Sequence, residues 1–171
     1  MKSKIQSITI LFLCLIFGSC SSDDEGNVTI TPEGQWFINS LLVESSFDFN
    51  NDGNASRDLF LETPCYAGNF IEFFDNGSVT IDIDFTYIFV DNTNTQDFEC
   101  QNGFGISSTW TQNGNTITVA NDDEQGDIIG TINGNTITVT ILNGFEIEVY
   151  NTLTGQVDIV TEDFTIVFTR Q

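Results

Sequence analysis

The chain of 171 residues contains no histidine and only four lysines and arginines together. Without imidazole, Ser-His-Asp and Cys-His nucleophilic catalysis, a His-ligated zinc site and imidazole general-base chemistry are all excluded. The scarcity of cations, set against 25 aspartates and glutamates and a formal net charge of −21, rules out nucleic acid as a partner, because phosphate neutralisation takes clustered Lys and Arg. No Gly-rich phosphate loop follows a strand pattern. Paired carboxylates hydrolyse glycosides in other proteins, but with so many acids no pair here stands out. Asp82 and Asp84 read as a solvated strand face, and Asp122-Asp123-Glu124 as a charged loop. The expectation is a protein with no catalytic residues, not an enzyme.

The amino-terminal residues carry an address. Lys2 and Lys4 precede an apolar run at residues 8–17, too short to span a bilayer, which ends in Gly18-Ser19-Cys20. Phe17-Gly18-Ser19-Cys20 resembles a bacterial lipobox, with Phe17 where Leu is more usual. It implies a signal peptide over residues 1–19 and acylation of Cys20. Acyl chains contribute about 0.8 kcal/mol per buried methylene, and two or more hold stably, so the partner implied is a membrane reached through a lipid anchor. The run Ser21-Ser22-Asp23-Asp24-Glu25 resembles the export signal of Bacteroidetes lipoproteins moved to the outer face of the outer membrane; a plain acidic tether is the other reading. Either way the expected location is the outer membrane. Both lysines fall in the signal, leaving Arg57 and Arg170 against the 25 acids, 2 − 25 = −23, which suits a soluble monomeric head or one that collects cations.

Residues 20–33 lack apolar periodicity and read as a flexible tether, and residues 34–171 as one domain long enough to bury a sizeable core. From Gly34 the period is two. Val79, Ile81, Ile83, Phe85, Tyr87 and Phe89 alternate with Thr80, Asp82, Asp84 and Thr86, as in a strand with one wet face. Similar runs cover residues 35–43, 70–74, 106–112, 115–120, 127–132, 135–142, 145–150, 156–161 and 164–170, and no helical pattern competes. Asn76-Gly77, Asn113-Gly114, Asn133-Gly134 and Asn143-Gly144 sit between runs and predict type I′ hairpins. Asn-Gly-Asn-Thr-Ile-Thr-Val occurs at both 113–119 and 133–139, two similar hairpins. Consecutive hairpins predict an all-β meander, and closing it into an antiparallel up-and-down barrel removes the exposed edges; a β-sandwich is the alternative.

Gly34-Gln35-Trp36, residues 73–79 (Phe-Phe-Asp-Asn-Gly-Ser-Val), residues 110–117 (Trp-Thr-Gln-Asn-Gly-Asn-Thr-Ile) and Phe168-Thr169-Arg170 together resemble the lipocalin-like lipoproteins of Bacteroidetes. The resemblance implies a lipocalin-like barrel closed at one end by Trp36, with Arg170 packed across its ring, a contact of roughly 0.5–2 kcal/mol. Trp36 as plain core and Arg170 as a solvated end is the other possibility.

Cys65 and Cys100 remain after Cys14 is lost with the signal and Cys20 is acylated. In an oxidising compartment they are expected to pair, two buried thiols being the alternative. Residues 48–58 (Asp-Phe-Asn-Asn-Asp-Gly-Asn-Ala-Ser-Arg-Asp) open like an EF-hand-type loop, where alternating oxygens converge on Ca2+. Asp48, Asn50, Asp52 and Asn54 are the candidate ligands. Leu59 stands where a bidentate Glu belongs, so Asp58 or Glu62 is left to supply that carboxylate. A structural calcium ion and a simple Asn/Asp/Gly turn are both open. Of the 16 phenylalanines, Phe85 and Phe89, with Tyr87, are candidates to line a pocket for a small hydrophobic ligand, unless they merely fill the core. Tyr66, Tyr150 and Trp110 offer a second possibility, an exposed platform for a sugar. Two functions follow, a non-catalytic binder of a small hydrophobic molecule and an envelope interaction module for a protein or glycan.

Overall fold

A computed structural model of the chain describes residues 30–121 and 126–171. In chain order the elements are β1 (Gly34–Phe47), β2 (Ser56–Asp58), α1 (Leu59–Glu62), β3 (Phe70–Phe73), β4 (Ser78–Val90), β5 (Gln96–Asn113), β6 (Thr116–Val119), β7 (Ile128–Asn133), β8 (Thr136–Asn151) and β9 (Gln156–Arg170). Each strand from β3 onward pairs antiparallel with the next, and β1 pairs with both β3 and β9, so eight strands close a barrel. The three-residue β2 pairs only with the far half of β1. Closure matches the expectation from alternating residues, and a sandwich is not what forms.

The alternation works as the pleat demands. Val79, Ile81 and Ile83 of β4 are buried, as are Ile137 and Val139 of β8 and Phe164, Ile166 and Phe168 of β9. Fully burying one such aliphatic or aromatic side chain stabilises by about 1.5–3 kcal/mol, so this lining supplies the main cohesive term.

The turns depart from the expected type. Residues Asn113↔Thr116 and Asn133↔Thr136 pair, which centres the turns on Gly114-Asn115 and Gly134-Asn135. In each only the glycine has positive φ, +59° and +58°, as in a type II′ turn, which needs glycine at its first central position. Asn143-Gly144 is no turn at all. It lies inside β8, where the register moves four residues, Ile141 to Phe145, while β9 moves two, Phe164 to Glu162. The runs expected at 135–142 and 145–150 are therefore one bulged strand, and those at 156–161 and 164–170 are one strand, β9.

A second bulge faces it. Between Ile83 and Phe85, β4 advances two residues while β5 advances three. Asp84 holds the kink: its Oδ1 accepts from the Gly103 amide (3.0 Å), its Oδ2 from Asn69 Nδ2 (3.2 Å), and its own amide donates to Asn69 Oδ1 (2.6 Å). A Cβ on Gly103 would overlap the Ile83 carbonyl, so only glycine permits this approach. Beyond the two bulges the β4–β5 and β8–β9 hairpins lean together and meet through one parallel pairing, Ile88↔Ile147. The segment expected to be a long connection, residues 91–105, is mostly β5, with the turn confined to Asp91–Thr95.

One short helix also forms. Asp58 caps α1 by accepting from the Phe60 amide (3.1 Å), and Leu59 is fully buried. The Cys65–Cys100 disulfide fastens the segment after α1 to β5.

Candidate functional site

The two ends of the barrel are closed by different means. At one end Trp36 is fully buried, its Nε1 donating to the Pro32 carbonyl, and the Arg170 guanidinium lies 4.3 Å from the centre of its ring. Trp36 and Arg170 face one another in the β1–β9 register, so the expected barrel-closing pair is realised. Arg170 Nη2 also donates to the carbonyls of Thr31 and Glu33 (2.8 and 2.9 Å). Residues 30–33 therefore belong to the barrel end rather than to a free tether.

At the other end the α1 segment packs into the space between the leaning hairpins. Tyr66 is buried there, and burial pushes its phenol up to about 12. Thr63 Oγ1 donates to the Leu59 carbonyl and lies 3.5 Å from Thr86 Oγ1. Glu62, only 3% exposed, accepts from the Phe49 amide (3.0 Å), and Glu162 from the Glu44 and Ser45 amides (2.9 Å each) and from the Ser45 hydroxyl.

Between these ends the wall is incomplete. β6 and β7 have four and six residues, against 18 and 16 in their neighbours β5 and β8, so they stop short. An internal cavity of about 110 Å³, lined by Leu41, Ile83, Val139, Phe145 and Ile166 among others, reaches this gap. Outside it lies a cleft of about 620 Å³. Phe85, Ile128, Ile141, Gly144 and Phe164 line both and form the neck. Gly144 sets its width, since a Cβ there would come within 2.5 Å of Ile141 Cγ2 and 2.7 Å of Phe164 Cε1.

Phe85 thus stands in the neck between the two spaces. Tyr87 and Phe89 do not line the cavity. The Ile83–Phe85 bulge reverses the phase of β4, so that Thr86 and Ile88 turn inward while the Tyr87 and Phe89 rings stack outside at 5.8 Å. Tyr87 donates to Glu148 (2.6 Å), and this bond, with a second from the Val90 amide, holds the Glu148 carboxyl below its ordinary range. Two of the three rings considered for sugar stacking are engaged elsewhere: Tyr66 is buried, and Trp110 donates to the Phe74 carbonyl and packs edge-on to Phe73.

Cys65 and Cys100 are bonded, at a Cα separation of 5.1 Å. In the 48–58 loop the candidate oxygens turn onto the chain itself. Asp48 accepts from the Gly53 amide, Asn50 from Asp52 (2.9 Å) and Asp52 from Asn54 (2.8 Å), while Asp58 holds the amides of Leu41 and Phe60 and Glu62 that of Phe49. Among the described residues no three His, Cys, Asp or Glu side chains converge as a ligand set. The Asp48 carboxylate accepting from the amide of Gly53, five residues on, suits a calcium loop and a simple turn alike. Cys20, the signal and the 122–124 acidic loop lie outside the described residues.

Sequence reasoning missed Ile128, Ile141 and Phe164 as neck residues. No local signal marked them, because the runs at 115–120 and 127–132 are nearly as long as their neighbours at 106–112 and 135–142. Comparison with protein-family models, curated proteins and solved structures finds no match to this chain.

Proposed function

We propose that the protein is a non-catalytic, lipid-anchored binding barrel of the outer membrane, displayed at the cell surface, that takes a small hydrophobic molecule through the gap beside β6 and β7. The apolar cavity continuous with an outer cleft carries this reading. The inner space is smaller than the cavity of about 150 Å³ that accepts benzene, so it suits a chain end and the cleft the rest of the ligand. Fluorescence titration with N-phenyl-1-naphthylamine tests it. Saturable enhancement is expected, lost in Ile128→Trp, which fills the neck, and kept in Leu153→Ser at the remote β8–β9 turn. Absence of enhancement refutes the reading.

Anchoring rests on Cys20. Metabolic palmitate label should enter the chain and be lost in Cys20→Ala, and proteinase K added to intact cells should degrade it.

The β8–β9 hairpin favours a second reading, an interaction module for an envelope protein or glycan. Its tip exposes Leu153 (96%), and the adjoining strand exposes Ile159 (68%) and Val157. A photo-crosslinker at Ile159, compared with one at Thr138, tests this by site-specific adducts in intact cells.

A further inference from the structure

The cleft is lined mainly by apolar side chains, and among the described residues the charged groups at it are of one sign. Asp127 lines the outer cleft, with Oδ1 on the Asn121 amide at 3.3 Å. Asp163 accepts from the Asn143 amide (2.7 Å), next to the neck glycine Gly144. Asp84 lines the inner cavity. Neither arginine is near: Arg57 Nε donates to the Val43 carbonyl beside β2, and Arg170 is committed to Trp36 at the closed end. Lys2 and Lys4 lie outside the described residues. Among the described residues, an entering carboxylate or phosphate therefore meets carboxylates and no cation.

Resting on the binding reading above, we propose that the cleft sorts amphiphiles by head-group charge, seating an apolar tail at Ile128, Ile141 and Phe164 and an ammonium head beside Asp127. The ligand class is a cationic amphiphile, and fatty-acid anions are excluded. One solvated charge pair about 4 Å apart changes affinity by about fivefold, in opposite directions for a cation and an anion. A cation should thus bind about 25-fold tighter than an anion with the same tail.

Octyltrimethylammonium, octanol and octanoate, kept monomeric, are to be compared by displacing N-phenyl-1-naphthylamine from the purified full chain. The expected order is ammonium, then alcohol, then carboxylate. The cation-to-anion ratio should shrink in 1 M salt, where the screening length is about 3 Å. Asp127→Asn preserves an acceptor for Asn121 and should cut the ratio to within about threefold. If the probe binds and the three tails displace it equally, or octanoate best, the charge proposal falls and the binding reading stands. An undiminished ratio in Asp127→Asn also overturns the assignment. If the probe does not bind, both fall.

Discussion

Cutting the Cys65–Cys100 bridge is the perturbation whose size follows most directly from the fold. The bond closes a loop with a sequence separation of 35. Constraining such a loop in the unfolded chain is worth about 4 kcal/mol by chain entropy. For a folded region of about 140 residues the unfolding entropy converts this to a drop of about 13 °C in Tm. Calorimetry on Cys65→Ala/Cys100→Ala against the oxidised parent measures it. The same variant should keep Tyr66 near 12 in the native state, because the ring stays buried beside Thr86 without the bridge. A drop under about 4 °C, together with a Tyr66 that titrates like an ordinary phenol, would refute the reasoning. It would mean that the bridge works by pinning the α1 segment locally rather than by constraining the denatured chain.

Gly103→Ala should cost above about 3 kcal/mol in urea unfolding, since its Cβ meets backbone, whereas Gly105→Ala, which meets nothing within 4 Å, should stay within about 1 kcal/mol. Arg170→Ala should cost about 2 kcal/mol through the lost ring contact and carbonyl bonds, and Arg170→Lys should recover less than half of it, lacking the planar fork. Tyr66 has a raised folded value, so its contribution is intact below pH 10 and disappears between 10 and about 12, a loss of about 3 kcal/mol that Tyr66→Phe should abolish in denaturation midpoints taken across that range. Glu148 is depressed, so its contribution is present above the ordinary carboxylate range and is lost as pH falls through the folded value; Glu148→Gln should flatten the acid limb of the stability profile. Calcium should raise Tm at fixed ionic strength and Asp52→Ala should abolish the rise, since Asp48, Asn50 and Asp52 share one loop; a Tm that chelator leaves unchanged would make the loop a plain turn.

Much of the barrel was legible because period-two alternation and tight glycine turns are local, and each strand from β3 onward pairs with its sequence neighbour. The Trp36 and Arg170 partnership was legible through the resemblance and through their places near the two ends of the strand series. The bulges were not, for a physical reason. Across Ile83, Phe85, Tyr87 and Phe89 the apolar alternation continues unbroken, although the strand changes face there. The hint was Ile88, an aliphatic residue on the side otherwise occupied by Thr80, Asp82, Asp84 and Thr86. Asn143-Gly144 misled because Asn143 does take positive φ, 49°, but spends it on a bulge rather than a reversal. The neck depends on how far β6 and β7 fall short of β5 and β8, which emerges only once the strands are placed side by side.

The pairing of β1 with β9 has a kinetic corollary. The seam that completes the cylinder joins residues at opposite ends of the described chain, so it cannot begin to form until the chain has been made as far as Thr165. Until then, β1 offers an unsatisfied edge that any nascent neighbour is able to occupy. Such distant partners slow folding to the range of milliseconds to seconds. A nascent chain halted before Thr165 should therefore remain open and sticky, however many of its hairpins have already formed.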